Sequence, residues 1–153
     1  MDRAKDPRWF VWGIVAFCVG AALVSAVQGA MDRRPGIGWQ TDFSVAHSQA
    51  RRTGHPMMVV FEAPWCGWCA RMDRQVFRDR GVVHASRQFV CVRLDATKRP
   101  DLLSQYGGNA VPFTAFLAPD GTPVGSVAGY VEADKMERAM MQAAQRSALH
   151  RPL

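Results

Sequence analysis

The segment "FEAPWCGWCARM" (residues 61–72) holds Cys66 and Cys69, two of the chain's 4 cysteines, each preceded by a tryptophan. Sulfurs at this spacing serve as half of a metal site, as a structural staple, or as a pair that cycles between dithiol and disulfide. A structural zinc needs four ligands, drawn from two such pairs or from one pair and two histidines. Cys91 stands alone in an apolar run, and His47, His55, His84 and His150 are scattered without ligand spacing, so no metal is expected. A staple is a poor use of the pair. Closing a loop of two residues removes little chain entropy, and a tight ring is easily reduced.

The reactive use has a mechanism. The nearly continuous apolar run "PMMVVFEA" (56–63) suits a buried central strand. The chain then turns through Pro64–Trp65, and helical character begins around Cys66 and extends to Phe77. Unpaired N–H groups and the helix dipole stabilise a thiolate at a helix N-terminus, so Cys66 is expected to be an exposed nucleophile of lowered pKa. Cys69, one turn along the same face, is the expected resolving thiol and the more buried of the two. In a reduction, Cys66 attacks a substrate disulfide, and Cys69 then attacks Cys66 to release the reduced product. Run backwards, the same steps oxidise.

Other elements must hold that turn in place. "DFSVAHSQARRTG" (42–54) reads as an amphipathic helix capped by Asp42 and stopped by Gly54. Asp79 opens a short helix over 79–88, and "FVCVRLDA" (89–96) is a second strand. Residues 99–108 form a helix with proline at its start and glycines at its end. After Val111–Pro112, "FTAFLA" (113–118) is a third strand, "PDG" (119–121) a tight turn, and 122–129 its hairpin partner. The chain closes with a helix over 132–149, whose Met136, Met140 and Met141 are expected in the core. The order α, β, α, α, β, α, β, β, α predicts an α/β fold, a mixed sheet with helices on both faces.

A length of 153 residues suits one domain with an appendage. From Trp9 to Met31 no residue is charged. As a helix that stretch is about 34 Å long, enough to cross a hydrocarbon core of roughly 30 Å. Residues 9–31 are therefore expected to form a transmembrane signal anchor, between a short basic cytoplasmic leader (1–8) and a linker (32–38), with the domain proper over 39–150. "VSA" and "VQG" at 24–29 are weak cleavage sites, so the anchor is read as uncleaved. Arg3, Lys5 and Arg8 precede it and Arg33 and Arg34 follow. That balance points to a single pass through the cytoplasmic (inner) membrane, with the domain in the periplasm or extracytoplasmic space. The net charge of +6 suggests no nucleic-acid partner, because its basic residues form no dense run and no stripe interleaved with aromatics.

"VVFEAPWCGWCARM", followed some 40 residues later by "AVPFTAFLAPDGTPVGSVAGY", resembles the thioredoxin superfamily over nearly all of residues 38–146. In pattern it is most similar to the membrane-tethered extracytoplasmic branch that resembles the C-terminal domain of the disulfide interchange transmembrane reductase. W-C-x-x-C is specific only because it follows an apolar strand and opens a helix. The resemblance implies a thioredoxin-like fold and a redox-active disulfide between Cys66 and Cys69. It also implies a cis Pro112 against that disulfide, and a Val111 backbone offered to an extended substrate. It implies protein thiol or disulfide substrates, reduced rather than oxidised, and a membrane redox partner that supplies electrons. No cofactor is required, since the dithiol itself carries two electrons.

Departures from the family pattern shape the remaining expectations. Relatives often carry a buried acid six positions before the first cysteine, where this chain has Val60. Glu62 projects from the same strand face by period-two alternation, either as a substitute proton acceptor for Cys69 or as a partly exposed strand-end glutamate. Ala70 takes the place of a frequent lysine, and Arg71 and Arg74 read as solvated helix residues. Trp65, Gly67 and Trp68 are expected to line the substrate surface, and Gly67 and Trp68 to influence redox poise. Cys91 reads as a buried, inert thiol, and Cys18 lies within the apolar segment. Two rivals remain at this level. One is a non-catalytic adaptor or holdase that grips extended chains. The other is a copper-handling relative, disfavoured because "SQYGGNAVP" (104–112) lacks the histidine those proteins usually carry.

Overall fold

The structure, a computed structural model, describes residues 36–150. The leader, the 9–31 segment and the linker through residue 35 lie outside the described residues. Among those described, no helix is long and apolar enough to cross a membrane.

Strand β1 is only Trp39–Gln40. Helix α1 (Phe43–Thr53) starts where the Asp42 carboxylate accepts the N–H groups of Ser44 and Val45, at 2.7 and 3.1 Å, and ends at Gly54 with φ 71°. That positive φ is a left-handed conformation glycine adopts without steric cost. Strand β2 (Met57–Glu62) is buried at every position but its last. Helix α2 (Gly67–Gln75) follows, and α3 (Arg80–Ser86) is capped by Asp79. Strand β3 (Val90–Asp95) leads to α4 (Pro100–Gln105), which opens on its proline. Strands β4 (Phe113–Leu117) and β5 (Pro123–Ala128) form the hairpin, and α5 (Ala133–Leu149) ends the described chain.

The five strands run in the order β1–β3–β2–β4–β5. β1 and β2 lie parallel to β3, while β4 is antiparallel to both β2 and β5. β2 is therefore central, and its alternation divides the core. Met58 and Val60 face Met72 and Val76 of the α2 segment, Val82 of α3, and Met136 and Met140 of α5. Met57, Val59 and Phe61 face Ala46 and Ala50 of α1 and Leu102 of α4. Phe61 and Phe116 are fully buried on opposite sides, so truncating either to alanine would cost about 3–5 kcal/mol.

The expected α/β architecture is the one observed, with three adjustments. The two-residue β1 carries too short a pattern to be seen in sequence and exists because Trp39 and Gln40 pair with Cys91 and Val92. The helix expected to reach Phe77 ends at Gln75. Met141 is 47% exposed, unlike the fully buried Met136 and Met140, because consecutive residues on a helix point about 100° apart.

Candidate active site

The end of β2 sets the geometry. After Glu62 the chain turns, Cys66 N–H donating to the Ala63 carbonyl at 3.0 Å. Cys66 itself is extended (φ −83°, ψ 100°) and caps α2, its carbonyl accepting the first helical bond from Ala70 at 3.1 Å. Caps are normally the oxygens of Ser, Thr, Asp or Asn. Here the cap acceptor is sulfur: Cys66 Sγ accepts the Cys69 N–H at 3.1 Å. Cys66 and Cys69 form a disulfide with their Cα atoms 5.2 Å apart.

Ala63 and Val111 pack against the two cysteines. Val111–Pro112 is cis, as the resemblance implied. Pro112 is buried, and its carbonyl accepts the Gly129 N–H at 2.9 Å, tying the loop after β5 to the start of β4. One expectation is corrected. Cys66 is not exposed: it and Cys69 are both buried, at 7% and 6% exposure. Ala63 and Val111 pack over both bonded cysteines.

A cavity of about 350 Å³ lies beneath the pair, lined by both cysteines and by Glu62, Asp73, Arg93 and Asp95. The structure thus brings Glu62 to the cavity of Cys69. Arg93 Nη2 bonds Asp73 Oδ1 at 2.7 Å, whereas Arg93 Nε stands 3.6 Å from Glu62 Oε2, an ion pair too long for a hydrogen bond. The Arg93 guanidinium also lies over the Trp39 ring, 4.4 Å from its centroid. Burial raises the Glu62 pKa above the ordinary carboxylate range; Arg93 opposes this, and the charges of Asp73 and Asp95 reinforce it. Such a carboxylate binds a proton more readily than a solvated one.

On the outer side, Trp65 and Trp68 are 76% and 56% exposed. The Trp68 ring meets Tyr130 at 5.4 Å between centroids. Arg71 is not simply solvated, since its guanidinium lies 5.4 Å from the Trp68 centroid and 5.0 Å from that of Tyr130. Arg74 is exposed. No atom lies within 4 Å of where a Gly67 side chain would begin. Cys91 is buried, as expected, and desolvation pushes its thiol up to about 12.

Asp73, Arg93, Asp95 and Tyr130 were not singled out in the sequence. Arg93 left a readable signal, a lone cation inside the apolar strand "FVCVRLDA". Asp73 lies four residues past Cys69 and so stacks above it on the helix. Tyr130 left none, because only the tertiary fold carries its loop to Trp68.

A redox-capable cysteine pair at a strand-to-helix junction, on a mixed sheet with helices on both faces, defines a thioredoxin-type thiol–disulfide exchange domain. The chain belongs to the thioredoxin-like family, whose model matches residues 38–119. It is 28% identical over 116 residues to the chloroplastic thioredoxin-like protein HCF164 of Arabidopsis thaliana, covering 76% of this chain and 44% of that protein. It is 32% identical over 97 residues to a thioredoxin of Alicyclobacillus acidocaldarius, covering 63% of this chain and 90% of the relative. Among solved structures, the oxidised C-terminal domain of DsbD from Neisseria meningitidis shares the fold at 22% identity, with a TM-score of 0.61 over 69% of this chain and 99% of that one. The chain spans less than half the length of its HCF164 relatives, 44% of one and 32% of the other.

Proposed function

We propose that this protein is a membrane-anchored thiol–disulfide oxidoreductase that reduces disulfides of other proteins outside the cytoplasm. The observation that carries the reading is the Cys66–Cys69 disulfide at the start of α2, with an N–H already aimed at the Cys66 sulfur. The charge-free segment from Trp9 to Met31 supports the anchor and the location.

The structure corresponds to the oxidised form, and the cycle starts from its reduced counterpart. The Cys66 thiolate attacks one sulfur of the partner's disulfide. That S–S bond breaks as the mixed disulfide forms, and the partner's other sulfur leaves as a thiolate. Cys69 gives its proton to Glu62, across the shared cavity, and attacks the Cys66 sulfur. The mixed disulfide breaks, the partner's second thiolate departs, and the Cys66–Cys69 bond is restored. Two electrons have passed to the substrate. The domain regains them from a membrane dithiol partner, so no soluble cofactor enters. Val111 and Pro112 border the substrate groove, and Trp65, Gly67 and Trp68 form its rim.

Insulin reduction by the purified full chain, with a dithiol donor, tests the proposal. Steady turnover is expected, falling about 10³-fold or more in Cys66→Ser. Binding of unfolded insulin chains without turnover would instead assign the fold to an adaptor or holdase.

A further inference from the structure

The outer edge of α2 carries a second piece of built structure. Trp68 stands between the two cysteines, and its exposed ring is fixed by tertiary contacts rather than by the core. Arg71 stacks on Trp68 and Tyr130 together, and its Nε donates to Gln75 Oε1 at 2.8 Å. The same Gln75 oxygen accepts the Tyr130 hydroxyl at 3.0 Å. Three side chains, Trp68 and Gln75 of α2 and Tyr130 of the loop after β5, therefore hold one guanidinium in place. Among the described residues, its terminal nitrogens make no hydrogen bond.

A guanidinium backed by aromatic rings, with its rotamers already restricted, presents two parallel N–H donors that match a carboxylate. The charges around the helix agree. Asp73, its one acid, is turned into the cavity and bonded to Arg93. The outer edge carries Arg71 and, one turn along, the exposed Arg74.

We propose that this stacked Trp68–Arg71–Tyr130 face is a specificity subsite for an acidic residue flanking the partner's cysteine, so that the favoured substrates are disulfides within acidic, extended segments. The proposal rests on the oxidoreductase reading above and names its substrate class.

The test uses the reduced full chain in neutral detergent and three synthetic disulfide peptides, alike except for Glu, Gln or Lys beside the attacked cysteine. Stopped-flow rates of disulfide reduction are expected to rank Glu over Gln over Lys, with Glu about five-fold faster than Gln, in line with a partly desolvated charge pair. The preference should shrink as salt is raised. In Arg71→Met the Glu-to-Gln rate ratio should fall to about one, and Arg71→Lys should restore part of it. Because the readout is a ratio within one variant, general loss of folding or activity cancels.

Equal rates for all three peptides in the wild type overturn the subsite and leave the oxidoreductase reading standing. Failure to reduce any peptide overturns both. If the wild-type rates ignore peptide charge but respond to anionic lipid in the micelle, and Arg71→Met removes that response, the face is a membrane surface and the proposal falls.

Discussion

Cys66 and Cys91 are buried to nearly the same degree, at 7% and 4% exposure, yet their surroundings favour opposite ionisation states. The Cys91 thiol points to the carbonyl oxygens of Ser86 and Phe89, at 3.7 and 3.8 Å, acceptors that favour keeping its proton. Cys66 sits at the start of a helix, its sulfur facing an N–H donor, where negative charge is stabilised. Burial raises the Cys91 thiol with nothing to offset it, whereas at Cys66 the helix start and the N–H donor work against burial, so depth alone does not set reactivity. Cys66 also has a second cysteine within bonding reach, its Cα 5.2 Å away, whereas Cys91 is a buried free thiol.

The comparison can be broken most directly by alkylation. With its thiol near 12, about one Cys91 in 10⁵ is ionised at pH 7. In the reduced chain iodoacetamide should label Cys66 several orders of magnitude faster than Cys91, as read by mass spectrometry over time, with Cys91 reacting only after denaturation. Comparable labelling of both in the folded chain would remove the basis of the contrast.

A second measurement sharpens it at the resolving step. Glu62 must be ionised to take the Cys69 proton, and its pKa is raised mainly by burial. The rate of mixed-disulfide resolution should therefore fall with decreasing pH at values above the ordinary carboxylate range. Glu62→Gln should remove that limb and slow resolution roughly ten- to a hundredfold at pH 7. Stability should move the other way. A carboxylate whose folded pKa lies above its unfolded one contributes stability fully below the unfolded pKa and loses it as pH rises through the folded pKa. At neutral pH the glutamine variant should thus melt at a higher temperature than the wild type.

The smallest effect belongs to the inert sulfur. Cys91→Ala should cost about 1 kcal/mol in denaturant unfolding, from a small cavity between β3 and its neighbours, and leave insulin turnover unchanged.

Much of this was legible in the chain because the informative patterns are local. Asp42 and Gly54 bracket α1 as caps do, and the apolar run before the cysteines suits the central strand it forms. The cysteine pair and Val111–Pro112 were legible as motifs, with the cis bond supplied by resemblance. Glu62 was reached through strand alternation, and the structure sets it on the cavity shared with Cys69. What stayed hidden depends on register between distant segments. Arg93 meets Asp73 only because β3 pairs with β2 so that Val60 lies opposite Arg93. The Tyr130 contact depends on where the loop after β5 lands. Burial of the sulfurs was misjudged for another reason. A turn before a helix reads as open in sequence, whereas Ala63 and the distant Val111 pack over both sulfurs.

The sulfur cap of α2 has a practical corollary. The Cys69 amide that the sulfur caps also senses the electron density on Cys66, being a stronger partner to an anion than to a bridged atom. The Cys69 amide proton is thus a native voltmeter. Its NMR shift and its exchange with deuterated water should track the state of the couple residue by residue, with no dye, label or added reporter.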